Sequence, residues 1–146
     1  MPFVHLERRL NCGGALEGYE DELPDLYRAG IRAVVSLLNI PSDGTVYSSA
    51  GFSFLCLPVA DGGAPSFEQT TEFVEFVDWQ REQHKPVAVH CEAGVGRTGT
   101  LLAAYFIAKG ESIEVTMQRV RSVERPAIET ARQVEFLHQL AARQQT

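Results

Sequence analysis

The stretch that decides the fold is Val87–Thr100, VAVHCEAGVGRTGT. Its first four residues, Val87-Ala88-Val89-His90, are apolar enough to read as a short buried strand. Cys91 stands at the end of that strand. Glycines follow at 94, 96 and 99, and an apolar run from about Arg97 to Ala108 reads as a helix that Gly110 closes. A buried strand that turns through glycines into a helix is a unit of an α/β sheet. Such a turn gathers backbone N–H groups at a helix N-terminus, where the helix dipole favours negative charge. Glycine lets the backbone turn tightly and approach a ligand closely. The segment therefore reads as an anion cradle, with a phosphate or an arsenic or sulfur oxyanion as guest.

Working outward, strands and helices alternate on the N-terminal side. Phe3–Leu6 reads as a short edge strand and Asn11–Gly14 as a turn. Glu20–Ala29 reads as a helix ended by Gly30, and Ile31–Leu38 as a buried strand. Pro41–Gly51 reads as loop, Phe52–Leu57 as a second strand, and Pro58–Pro65 (PVADGGAP) as a loop. Ser66-Phe67-Glu68-Gln69 has the form of a capping box, opening a helix to about His84 that Lys85-Pro86 stops. On the C-terminal side a helix is expected over about Ser112–Glu124, broken at Arg125-Pro126. A second capping box, Thr130-Ala131-Arg132-Gln133, opens a last helix to about Ala142. The expectation is one α/β domain over residues 1–146, with a central mixed, mostly parallel sheet flanked by helices.

Composition narrows the function. The chain has 146 residues, 45% hydrophobic and 22% charged, which suits an ordinary globule rather than a disordered or fibrous chain. Its net charge of -6 argues against bulk binding to nucleic acid or to an anionic membrane surface. No apolar run approaches the roughly 18 residues of a membrane span, and the N-terminal residues carry no signal-peptide pattern. Three cysteines, Cys12, Cys56 and Cys91, are too few and odd in number for a disulfide scaffold. A cytoplasmic monomer with free thiols is expected.

Cys91 sits at the rim of the cradle. The N–H groups that attract phosphate also stabilise a thiolate and lower its pKa, and a thiolate beneath a bound phosphate is a nucleophile. A lone cysteine after a strand is otherwise a small buried hydrophobe; the surrounding pattern decides against that here. Arg97 supplies a planar fork that fits two phosphate oxygens. Thr98 can donate a hydroxyl hydrogen bond to the sulfur and ease its departure. The backbone of Glu92, Ala93, Gly94, Val95 and Gly96, with Arg97, would bind the phosphate. No metal or other cofactor is called for, because these donors supply the charge stabilisation.

The spacing Cys-x5-Arg-Thr, written HCEAGVGRTG, resembles the signature loop of the cysteine-dependent protein tyrosine phosphatases, and most closely their small dual-specificity branch, including compact archaeal and bacterial members. The resemblance covers most of the chain: GIRAVVSLLN, LPVADGGAPS, the signature loop and RPAIETARQVEFL occur in the family's order. It implies a protein tyrosine phosphatase-like fold. It also implies a general acid on a mobile loop some 30 residues before the cysteine, a place that Asp61 fills. Asp61 is otherwise a turn aspartate, since Asp-Gly is common in turns; Asp21, Asp25, Asp43 and Asp78 lie in less suitable contexts. His90 resembles the family's histidine and is expected to brace the loop. Ile128–Gln133 resembles the loop that carries glutamines near the attacking water in the tyrosine-specific branch. Gln133 matches the second glutamine, while Glu129 departs from the first. Gln133 also has a purely structural role open to it as the last residue of its capping box. His5, His84 and His138 show no metal-ligand spacing and are expected at the surface.

The resemblance implies hydrolysis of phosphotyrosine and, more weakly, phosphoserine and phosphothreonine in proteins or peptides, through a phosphocysteine. A nucleotide-binding P-loop would need a lysine where Arg97 stands. A sulfurtransferase loop is one residue shorter, and an arsenate reductase would want a nearby resolving cysteine. Cys12 and Cys56 read as structural, with a protective disulfide to Cys91 as the alternative role for Cys56. A phosphate-binding module without activity would have lost Cys91, Arg97 or Asp61.

Overall fold

The structure, a computed structural model, describes residues 3–8, 23–38, 43–92, 96–123, 128 and 130–144. In chain order the elements are β1 (Phe3–Arg8), α1 (Leu23–Arg28), β2 (Ala33–Ser36), α2 (Asp43–Ser49), β3 (Ser53–Cys56), α3 (Phe67–Glu82), β4 (Val87–Glu92), α4 (Gly96–Ala108), α5 (Ile113–Val123) and α6 (Ala131–Gln144). The expected turn at Asn11–Gly14 and the break at Arg125-Pro126 lie outside the described residues. Contacts divide the chain into two compact units: Met1–Pro58 with Glu75–Ala93, and Val59–Val74 with Gly94–Thr146.

The first unit holds a sheet in the order β1-β4-β2-β3, and every described pair is parallel. β2 is buried along its whole length, and Val87, Ala88 and Val89 of β4 are fully buried. Continuous apolar runs of this kind are what parallel strands covered on both faces require. Leu23 of α1, Ile31, Val34, Tyr47, Phe52 and Ala88 form one core cluster, with Leu26, Val46 and Phe54 packed against it.

β1 runs two residues past the expected Leu6 and β2 is shorter than Ile31–Leu38; two larger differences follow. Asp43–Ser49, within the stretch read as loop, is helix α2. Glycine, serine, threonine and valine make it a poor helix former on propensity alone. Tertiary packing decides instead: Tyr47 stacks on Phe54 with centroids 5.2 Å apart and meets Phe52 edge-on at 6.1 Å. A Cβ on Gly44 would come within 3.0 Å of the Phe54 ring, so the helix seats closely there. Strand β4 runs two residues past His90, taking in Cys91 and Glu92, because β1 extends to Arg8 and supplies ladder partners: Glu7 beside Cys91 and Arg8 beside Glu92.

In the second unit α4 packs against α5 and α6. Its residues Thr98 to Ile107 are buried on all sides, which explains why its sequence is apolar without helical periodicity. α6 is amphipathic, burying Gln133, Phe136, Leu137 and Leu140 on one stripe. Phe136 packs on Phe67 at 5.4 Å, and the Arg143 guanidinium lies 4.0 Å over the Phe67 ring. No described helix is long and apolar enough to cross a membrane.

Both capping boxes form. The Ser66 hydroxyl accepts from Gln69 N and the Gln69 side chain accepts from Ser66 N, each at 3.0 Å. Ser66→Ala removes one reciprocal bond from the start of α3 and is expected to cost about 1 kcal/mol. Thermal unfolding should show it as a drop of about 3 °C in Tm.

Candidate active site

Parallel strands share one carboxyl edge, and ligands of open α/β sheets bind beyond that edge where the strand order reverses. Here β2 and β3 advance to one side, whereas β4 inserts on the other side of β2, beside β1. The reversal therefore lies at β4, and Cys91 is its fifth residue. β3 leaves by the same edge through Leu57 and Pro58, into the loop that carries Asp61. Sheet topology thus places the start of that loop and Cys91 on one edge.

The register also fixes the relation of Cys91 to Cys56. Ser36 of β2 aligns with Cys56 on one side and His90 on the other. Cys56 and His90 are then two strand spacings apart, about 9–10 Å, and Cys91 lies one residue beyond. A disulfide needs Cα atoms within about 7 Å. Cys56 instead directs its Sγ at the Leu38 carbonyl, at 3.3 Å. It is half-buried, and a resolving role would require the sheet to move.

Of the signature loop, Ala93, Gly94 and Val95 lie outside the described residues, as do the side chains of His90, Cys91 and Glu92. Gly96 and Arg97 open α4, and Thr98 in its first turn is 1% exposed. Arg97 is half-buried, and its Nη1 donates to the Val59 carbonyl at 3.1 Å. That bond ties the guanidinium to the loop two residues before Asp61.

Asp61 sits at the corner of a tight turn. Gly63 N donates to the Ala60 carbonyl at 2.8 Å, closing Ala60–Gly63 with Asp61 second and Gly62 third. Gly62 has φ 75°, the left-handed conformation that the third position of a type II turn demands. The aspartate side chain is exposed. Asp25, by contrast, is paired with Arg28 at 3.0 Å on α1.

Thr130 and Gln133 form the capping box of α6: Thr130 N donates to Gln133 Oε1 at 3.1 Å, and Gln133 N to Thr130 Oγ1 at 3.2 Å. The same side chains reach the Ala60–Gly63 turn. Thr130 Oγ1 donates to the Gly62 carbonyl at 2.8 Å, and Gln133 Nε2 to the Gly63 carbonyl at 3.1 Å. Thr130 was visible in the sequence only as a helix cap; its bond to a residue 68 positions away had no local signal. Ile128, buried with φ 62°, precedes this cap, and its carbonyl accepts from Arg121 Nη2 at 3.1 Å. Glu129 lies outside the described residues. His84 and His138 are exposed, as expected.

A family model described as polymorphic toxin system, DSP-PTPase phosphatase matches residues 12–111. The chain is similar to tyrosine-protein phosphatase cdc-14 of Caenorhabditis elegans, 37% identical over 95 residues, and to dual specificity protein phosphatase 4 of Homo sapiens, 30% identical over 99 residues. These alignments take in 62% and 64% of this chain but 13% and 25% of the relatives, so the chain spans no more than a quarter of their length. Among solved structures it is similar to Tk-PTP in its active form, with a TM-score of 0.77 and 30% identity over 97% of this chain and 90% of that one. A mutant form of Tk-PTP gives a TM-score of 0.80 at 30% identity, over 98% and 91%. With 100 of its 146 residues inside the family model and nearly all of it aligned with Tk-PTP, the chain belongs to the DSP-PTPase family, among the small dual-specificity members of the cysteine-dependent protein tyrosine phosphatase superfamily.

Proposed function

We propose that residues 1–146 act as one catalytic domain that hydrolyses phosphate monoesters of proteins in two steps. The Cys91 thiolate attacks phosphorus in line, forming the S–P bond as the P–O bond breaks, and the Asp61 carboxyl gives its proton to the departing oxygen. Water then attacks the phosphocysteine. The Asp61 carboxylate takes the water's proton, the S–P bond breaks, and the Thr98 hydroxyl eases departure of the thiolate. Arg97 and the amides of residues 92–97 hold the three non-bridging oxygens throughout, with His90 bracing the loop. The observation that carries this reading is the bond from Arg97 to Val59, which couples the phosphate-binding guanidinium to the loop that presents Asp61. The small, odd number of cysteines supports a reducing, cytoplasmic setting.

Substrate class follows from what surrounds the cradle. Residues 92–96 are Glu, Ala, Gly, Val and Gly, with no lysine to meet additional phosphates. Glu92 and the net charge of -6 oppose a polyanionic ring or an anionic membrane surface. The connection between β2 and β3 is taken up by α2, whose Tyr47 packs against β3, leaving little chain to build a deep phosphotyrosine slot. A shallow pocket admits phosphotyrosine readily and phosphothreonine or phosphoserine more weakly. A panel of these phosphopeptides beside phosphoinositides tests this. The highest kcat/KM is expected for phosphotyrosine peptides, with detectable action on phosphothreonine and little on phosphoinositides. A phosphoinositide kcat/KM above that for phosphotyrosine peptides would overturn the assignment.

A further inference from the structure

We propose that the α6 capping box is the clamp that holds the acid turn, and that Gln133 is a positioning residue acting through Asp61. The inference rests on the reading of Asp61 as general acid. A general acid works only within hydrogen-bond reach of the atom it protonates. Asp61 stands on a four-residue turn at the surface, and such a turn wanders unless its backbone is tied down.

The ties are specific. The two carbonyls that follow Asp61 in the turn are both taken, Gly62 by the Thr130 hydroxyl at 2.8 Å and Gly63 by the Gln133 amide at 3.1 Å. On the other side of Asp61, the Val59 carbonyl is held by Arg97. Gln133 is 1% exposed, and its two amide atoms bind in opposite senses: Oε1 accepts from Thr130 N, Nε2 donates to Gly63. A flipped amide would face a donor with its nitrogen and a carbonyl with its oxygen, so the network admits one orientation. A capping box by itself needs only the side-chain oxygen, and glutamate serves it as well as glutamine. What requires an amide at position 133 is the Gly63 carbonyl. The clamp is itself anchored, because the chain enters α6 through buried Ile128, held by Arg121.

Glutamate at 133 separates the two roles. Gln133→Glu keeps the oxygen for Thr130 N and keeps the cap, but loses the donor to Gly63. Thr130→Val removes the bond to Gly62 together with the cap's acceptor for Gln133 N, and Thr130→Ser restores both. The measurement is kcat on aryl phosphates of graded leaving-group pKa, with melting curves to confirm folding and vanadate inhibition to report the cradle. Gln133→Glu and Thr130→Val are each expected to lower kcat about 10-fold for poor leaving groups and less than about twofold for good ones, at unchanged vanadate affinity, since only poor leaving groups need the acid. Thr130→Ser should behave as the parent. Added to Asp61→Asn, Gln133→Glu should cost less than about a further twofold, as coupled residues do. Equal losses across leaving groups, or accumulation of phosphocysteine in Gln133→Glu, would overturn the clamp and assign the amide to the attacking water. A leaving-group dependence in Asp61→Asn but in neither clamp variant would overturn the clamp and leave Asp61 as the acid. Indifference of Asp61→Asn itself to the leaving group would remove both.

Discussion

Replacing Cys91 by serine is expected to abolish turnover, by roughly 10⁴-fold or more, as removal of a covalent nucleophile does in other enzymes. The alcohol does not ionise near neutral pH, so no thiolate-like nucleophile forms beneath the phosphate. In the proposed mechanism the anion-binding groups are backbone amides and Arg97, which the substitution leaves in place. Binding of inorganic phosphate or vanadate should therefore persist while hydrolysis stops. Cys12→Ser and Cys56→Ser should stay active. Cys56 lies two strands away, with its Sγ engaged by the Leu38 carbonyl. Mass spectrometry of acid-quenched enzyme should find phosphate on Cys91. Phosphate trapped on a histidine or an aspartate would exclude the mechanism.

Asp61→Asn is expected to lower kcat by about 10²–10³, the range of general acid–base effects. The amide keeps the size of the side chain and leaves the turn intact, because the turn is closed by backbone atoms and held through Gly62 and Gly63. Only the transferable proton is lost. The deficit should shrink toward nothing as the leaving group becomes a better anion. A deficit of equal size for good and poor leaving groups would take Asp61 out of the role.

The elements that flank Cys91 were legible in one dimension because their signals are local. Cys91, Gly94, Gly96 and Arg97 lie within seven residues, so a strand before them and a helix start at their end follow from their own spacing. The two capping boxes are patterns of four residues, and both form as written. The buried runs of β2 and β4 declare themselves because a parallel strand covered on both faces must be apolar throughout. Tertiary structure alone decided the rest. Asp43–Ser49 has poor helix propensity and becomes α2 because Tyr47 finds Phe52 and Phe54. Cys91 and Glu92 join β4 only because β1, more than 80 residues earlier in the chain, offers Glu7 and Arg8 as ladder partners. The hold on the Val59–Gly63 loop joins Val59 to Arg97, Gly62 to Thr130 and Gly63 to Gln133, across 38, 68 and 70 residues. A residue's local pattern encodes its own backbone conformation and which face it buries. It carries no record of the distant carbonyl that its leftover donor will meet, because that meeting is set by the packing of the helices and the order of the strands.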